Sequence, residues 1–209
     1  GSELFDLGGS SEVSSNRYAY DIVGSNKEIN QLNGKMIYKT GEDFKQRIGF
    51  SAQYGGLYNI NTKEVGDHYA FALHHEVFHK RWNLKTSLIT TRHNPINAPG
   101  QSREVVKMGA YGLPYDIASD YEMYTAAVSY DLPVSLGPIS NLKFYNDFGY
   151  MDKKAPGFKN SAMNVTGVLV MAGDMYIYID YAAGYNHSWF GGDFTNQEES
   201  GNKSLGWEA

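Results

Sequence analysis

From about residue 30 onward, apolar and polar residues alternate along the chain. In 44–54 the even positions from 48 are Ile, Phe, Ala and Tyr, whereas the odd positions from 47 are Arg, Gly, Ser and Gln. Alternation over a run of this kind predicts a strand with one apolar and one polar face. We predict nine strands, at 31–39, 44–54, 67–78, 81–91, 104–112, 120–131, 139–150, 162–172 and 174–185. Residues 17–23 are a candidate tenth strand.

The connections between these strands alternate between very short and longer ones. Only His79 and Lys80 separate two of the runs, and Gly173-Asp174 joins two others. The segments His93 to Gly100 and Asp152 to Gly157 are rich in turn-forming residues. This arrangement predicts an all-β, up-and-down antiparallel meander. The specific fold expected is a transmembrane β-barrel, or part of one, with about 9–10 strands here.

Strand length favours strands that cross a bilayer. Globular strands average ~5–6 residues and tilted transmembrane strands need ~9–11, and most of the predicted strands are of the longer kind. Aliphatic residues occupy the middle of the apolar face. Aromatic residues lie at its ends: Tyr54, Tyr69, Trp82, Tyr130 and Tyr150. Girdles of this kind are typical of outer-membrane barrels, which indicates a location in the bacterial outer membrane.

The same alternation also fits a soluble barrel with its apolar face turned inward. Such a lipocalin-like protein would bind a small hydrophobic ligand in its interior. The polar face carries Lys, Asp, Glu, Gln, Asn and Ser, a composition better suited to a wet lumen than to a packed interior. The two alternatives differ in whether the aromatic residues point outward or inward.

Composition and charge remove several classes of function. The chain has 209 residues, with 18 Lys and Arg against 23 Asp and Glu and no basic patch, which argues against a nucleic-acid partner. The absence of Cys excludes disulfides, thiolate zinc sites and Cys nucleophiles. No apolar run approaches the ~18 residues of a membrane-spanning helix. We predict no cofactor, no metal and no catalytic residue.

The segment from Gly8 to Ser15 is small and polar, and residues 1–15 are expected to form a flexible lead-in, with Gly1-Ser2 as a remnant of tag cleavage. Residues 16–209 are expected to form a single β-barrel domain, because no composition shift divides them.

Residues 75–79 read His-Glu-Val-Phe-His and match the metalloprotease motif by letters. That chemistry requires a helix, which places the two His side chains one turn apart on a zinc ion. In a strand they would lie about 13 Å apart, at ~3.3 Å per residue. The flanking alternation predicts a strand, and a zinc hydrolase remains only a remote alternative.

Several segments resemble the C-terminal half of proteobacterial outer-membrane porins of the phosphate-selective porin O/P-like superfamily. The most specific are Phe144-Tyr145-Asn146-Asp147 and Tyr178-Ile179-Asp180-Tyr181, followed by Gly184 and Asn186-His187. The resemblance covers about residues 16–209. It implies a sixteen-stranded barrel, often trimeric, through which small polar solutes diffuse.

The chain departs from this family in two respects. Family members are nearly twice as long and end in a strand with a terminal aromatic residue. Here Trp207-Glu208-Ala209 lies about where that strand should begin, as expected for a portion of a longer porin or for a shorter relative. Phosphate-selective members also carry a ladder of Arg and Lys, whereas this chain has five Arg residues in all. Phosphate selectivity is therefore not expected.

The sequence thus predicts a non-enzymatic porin that contacts outer-membrane lipid and passes small polar solutes or ions, with a homotrimer implied by the resemblance. Charge and width at the lumen would set its selectivity. The predicted pore-lining residues are Arg47, Gln53, His74, Glu76, Lys85, Lys143, Tyr145, Asp147, Tyr178 and Asp180.

Overall fold

The computed structural model describes residues 26–110, 113–187 and 206–208. They form eleven strands: β1 (Asn26–Thr40), β2 (Phe44–Asn59), β3 (Val65–His79), β4 (Trp82–Asn94), β5 (Val105–Ala110), β6 (Leu113–Ala118), β7 (Asp120–Leu136), β8 (Ile139–Lys153), β9 (Ser161–Ala172), β10 (Met175–Tyr185) and β11 (Gly206–Glu208). Within these residues no helix is long and apolar enough to cross a membrane. The predicted lead-in at 1–15 and the candidate strand at 17–23 lie outside the described residues.

Nine strands form one antiparallel sheet in the order β1-β2-β3-β4-β7-β8-β9-β10-β11. Each strand pairs with its neighbour along the chain, except that β4 pairs directly with β7. In the described residues β1 and β11 are the two edges of this sheet. The predicted all-β meander is therefore confirmed.

The connections have different lengths at the two ends of the sheet. Residues 41–43, 80–81, 137–138 and 173–174 make short turns at one end, which we call the short-turn end. Residues 60–64, 95–119 and 154–160 connect strands at the opposite, long-loop end. The longest connection contains the hairpin β5–β6.

Strand register places the apolar residues of neighbouring strands on one face. Leu73 pairs with Phe50 and Leu88, and Leu88 pairs with Tyr124. Residues paired across antiparallel strands lie on the same face, so these side chains form a continuous apolar face. They are largely exposed: Leu73, at mid-strand, is 55% accessible.

The opposite, polar face is the more enclosed one. Glu76 pairs with Arg47 and with Lys85, and its side chain is only 20% accessible. Because Leu73 and Glu76 lie three residues apart on one strand, the difference in exposure reflects the faces rather than the position along the strand. Along β3 every even-numbered residue from 66 to 78 is buried or half-buried, whereas Val65, Phe71 and Leu73 are exposed. We infer from this difference that the sheet curves, with its polar face on the concave side.

The hairpin β5–β6 packs against the polar face at the long-loop end. Val106 and Ile117 form a small buried core with Leu57 and Met151 of the sheet. Backbone hydrogen bonds fasten the base of the hairpin, from Ser119 N to Glu104 O and from His93 N to Ser119 O. The hairpin therefore occupies the concave side.

The predicted single strand at 104–112 requires correction. Residues 105–110 and 113–118 are two short strands that pair only with each other, so they do not continue the meander. Pro114 is the second residue of β6. A two-stranded ribbon accommodates Pro114 there because each of its strands has a free edge.

We predict that Ile117→Ala loosens the hairpin while leaving the sheet folded. Truncating a buried Ile costs about 2–5 kcal/mol, and this side chain joins the hairpin to the sheet. Hydrogen exchange of the amides in 105–118 should accelerate, with the strands of the sheet unchanged. Ile60→Ala, at an exposed position of the β2–β3 loop, is the matched control. Equal exchange in both variants would contradict the packing described.

Candidate functional site

A row of charged side chains crosses the polar face near its middle. Arg47, Glu76, Lys85 and Asp147 occupy this row on β2, β3, β4 and β8, with Ala127 of β7 between the last two. The row exists because all five strands, β7 included, keep an unshifted register between these positions. We call these four residues the charged row.

Glu76 is the centre of the charged row. Its Oε2 lies 3.1 Å from Arg47 Nη1, and its Oε1 lies 3.5 Å from Lys85 Nζ. Asn83 donates a further hydrogen bond to Oε1 at 3.2 Å. One carboxylate thus holds two cations that would otherwise repel each other, which fixes where the positive charges lie on this face.

A second polar contact links β8 with β10. Tyr145 donates a short hydrogen bond to Asp180 Oδ1. The two residues do not lie on adjacent strands, because Gly167 of β9 pairs with both of them. A Cβ at position 167 would overlap both side chains. Glycine at this position therefore permits the contact across an intervening strand.

The structure places all ten predicted lining residues on the polar face, since their strand positions share one phase of the register. It brings Arg47, Glu76 and Lys85 into contact, and likewise Tyr145 and Asp180. It does not join all ten into one cluster. Compared with the charged row, Gln53 and His74 lie further towards the long-loop end, and Lys143 and Tyr178 lie further towards the short-turn end.

Two partners of the predicted residues were missed by sequence reasoning. Asn83 bonds Glu76, and Asp131 lies 3.5 Å from Lys143. Both occupy polar-face positions of their strands, so the alternation of the sequence could have identified them as residues of this face. Their specific pairings could not be identified, because these depend on the register between strands.

The long-loop end carries a mixed set of charges around an open cleft of about 790 Å³. Arg92 Nε lies 3.6 Å from Asp120 Oδ2. Lys154 donates to Asp152 at 2.7 Å and lies 3.1 Å from Glu122. These two carboxylates, Asp152 first, raise the pKa of Lys154 above its ordinary value. Lys154 therefore stays charged throughout the physiological range.

The motif at 75–79 lies in β3, as its flanking alternation predicted. His75 and His79 have the apolar phase of the strand, whereas Glu76 has the polar phase. The imidazole Nε2 of His75 lies 3.0 Å from Gln46 Oε1. The helical geometry that the metalloprotease chemistry requires is not formed by this segment.

Comparisons of the chain with protein-family models, with curated proteins and with solved structures found no match.

We predict that Gly167→Ala destabilises the fold by about 1–3 kcal/mol, the usual cost of overpacking. The added methyl group must displace the Tyr145 ring or the Asp180 carboxylate. Gly149→Ala is the control, because a Cβ there meets no atom within 4 Å. Denaturant unfolding of both variants tests the expectation. Equal stability of the two would show that Tyr145 and Asp180 do not meet over β9.

Proposed function

We propose that this protein is a non-enzymatic, porin-type channel of the bacterial outer membrane. The apolar face would contact lipid, and the polar face would line a water-filled lumen. Small polar solutes or ions would cross by passive diffusion. The charged row and the hairpin on the concave side would set selectivity and width.

The proposal rests on the difference in exposure between the two faces of the sheet. A soluble barrel encloses its apolar face, whereas this sheet leaves Leu73, Phe71 and Phe144 exposed and encloses Glu76. Apolar patches larger than a few hundred Å² are rare on soluble monomers. Lipid is the solvent in which this face is stable.

The spacing of aromatic residues supports the same reading. On the apolar face Phe44 and Trp82 lie near the short-turn end. Tyr54 lies ten residues after Phe44 on β2, and Tyr69 of β3 pairs with Arg92, ten residues after Trp82 on β4. Ten residues at ~3.3 Å and a tilt of ~40° span about 25 Å along a membrane normal. This equals the height of the apolar band in outer-membrane barrels.

Several polar side chains within the apolar face hydrogen-bond one another. Gln46 bonds His75 at 3.0 Å. Asn146 donates to Asn164 at 2.9 Å and to Thr166 at 2.7 Å. Polar groups in hydrocarbon are costly unless hydrogen-bonded, so these contacts make the face compatible with lipid.

The alternation of short turns and long loops is also typical of bacterial barrels, which have short periplasmic turns and longer external loops. By this analogy the long-loop end would face outward from the cell. The β1 edge must also be paired, because each unpaired backbone group in lipid costs several kcal/mol. Further strands of a longer chain, or a second copy, would supply the partner.

The charged row is balanced, with two cations and two anions. We therefore expect weak selectivity between anions and cations, which single charge substitutions can shift in either direction. A unit charge acting on a hydrated ion several ångströms away in water is worth about 0.5 kcal/mol, roughly a factor of two in permeability.

The experiment is single-channel recording in planar bilayers, with reversal potentials measured in a KCl gradient. Glu76→Gln should raise the Cl⁻/K⁺ permeability ratio about two-fold, and Lys85→Gln should lower it similarly. Glu64→Gln makes the same charge change in the exposed β2–β3 loop, outside the wall, and should leave the ratio unchanged.

Two results would sink the proposal. One is a monodisperse, β-rich protein that needs no micelles and forms no channels. The other is conductance whose selectivity responds equally to Glu76→Gln and Glu64→Gln, because the current would then not pass along the polar face.

A further inference from the structure

Two histidines and a glutamate meet on the polar face at its long-loop end. His68 of β3 pairs directly with His93 of β4, and Glu28 of β1 reaches both. Glu28 Oε1 lies 3.7 Å from His68 Nδ1 and 3.6 Å from His93 Nε2. We call these three residues the His–His–Glu cluster. It is separate from the charged row.

A β-bulge brings Glu28 into this cluster. The register between β1 and β2 shifts between Ile29 and Leu32, so that two residues, Asn30 and Gln31, oppose Gly55. Asn30 adopts a positive φ of 52°, a conformation that Asn tolerates better than most residues. The extra residue reverses the phase of the strand and turns Glu28 to the polar face. Bulges commonly re-aim side chains in this way near functional sites.

Neighbouring residues hold the cluster in place. Gln31, from the bulge itself, donates a short hydrogen bond to Glu28 Oε2, which leaves Oε1 directed at the two rings. Gly55 makes room for one ring, because a Cβ there would lie 2.6 Å from His68 Nε2. Beside the cluster, the side chains of Asn26, Asn59 and Asn97 hydrogen-bond one another at 3.1–3.3 Å. These hydrogen bonds hold the start of β1, next to Glu28, in place.

The imidazole rings of His68 and His93 are buried, and their nitrogen atoms lack side-chain hydrogen bonds. His68 is 1% and His93 is 5% accessible. Their Nε2 and Nδ1 atoms, respectively, have no partner. Their other nitrogens lie farther from Glu28 Oε1 than a hydrogen bond reaches. Burying polar atoms in this way is unfavourable. A ligand shared with Glu28 could bind only the nitrogens that face it, Nδ1 of His68 and Nε2 of His93, because the two nitrogens of one imidazole ring point in different directions.

We propose that the His–His–Glu cluster binds a divalent transition-metal ion, with zinc as the best fit. One donor atom from each residue lies within 4.8 Å of the others. Donors on a tetrahedral zinc ion with ~2.0–2.1 Å bonds lie about 3.3 Å apart, so the Glu28 distances need to contract by only a few tenths of an ångström. Imidazole with carboxylate suits zinc and similar ions better than magnesium or calcium.

A metal at this position would join three strands, β1, β3 and β4, beneath the hairpin. The ion could enter through the cleft at the long-loop end, which His93 helps to line. Because the binding depends only on local geometry, it holds whether or not the polar face conducts ions. Failure of one proposal is therefore distinguishable from failure of the other.

The test is metal titration of the folded chain, without a polyhistidine tag and after stripping with chelator. Calorimetry with ZnCl₂ should give one site per chain. His68→Gln and His93→Gln should each weaken binding by about 100-fold or more, since outer-shell losses alone cost 10–100-fold. His74→Gln, on the same face of β3, is the matched control and should bind as tightly as the unchanged chain. Gln31→Met should weaken binding about 10-fold.

Co²⁺ added to the unchanged chain gives a readout that needs no variant. Visible absorption bands of tetrahedral or five-coordinate Co²⁺ should appear and be removed by zinc. Circular dichroism of each variant shows whether a loss of binding reflects misfolding. The proposal is overturned if the unchanged chain shows no saturable zinc site and no Co²⁺ bands. Equal affinity in the unchanged chain, His68→Gln and His74→Gln would overturn it as well.

Discussion

The main constraint on this fold is the environment of the exposed apolar face of a single, curved sheet. A sheet in a soluble domain buries one face against another layer or inside a barrel. Here the large apolar side chains lie on the convex side and are exposed, while the charged row lies on the concave side. Strand length, aromatic spacing and the pairing of polar groups on the apolar face are all consistent with this one constraint.

The polar face is organised along its length into distinct contacts. In the charged row at mid-strand, Glu76 pairs with Arg47 and Lys85, whose side chains are exposed. The two histidines of the His–His–Glu cluster, by contrast, are buried. The hairpin contributes to this difference, because it packs on Leu57 and Met151 at one end of this face only.

Alternation allowed most of the sheet to be predicted, because strands that separate an apolar from a polar environment must keep a period of two. It placed β2, β3, β4 and β7–β10 and assigned the ten polar-face residues to one side. The hairpin was not predicted as such, since Pro114 reads as a turn and its strands do not separate two environments. Glu28 was also missed, because the bulge at Asn30 changes the phase of β1. Phase shifts and contacts across strands depend on the register in which strands pair. The alternation of residues within one strand does not encode that register.

The outward orientation of the apolar face is tested most directly by a nitroxide scan along residues 70–77 of β3 in lipid vesicles. The chain contains no Cys, so single cysteines can be introduced and spin-labelled without background. We expect oxygen, which partitions into lipid, to reach labels at 71, 73, 75 and 77, and a water-soluble nickel complex to reach those at 70, 72, 74 and 76. The opposite phase, or equal access of both reagents along the strand, would contradict an outward apolar face and a wet polar one.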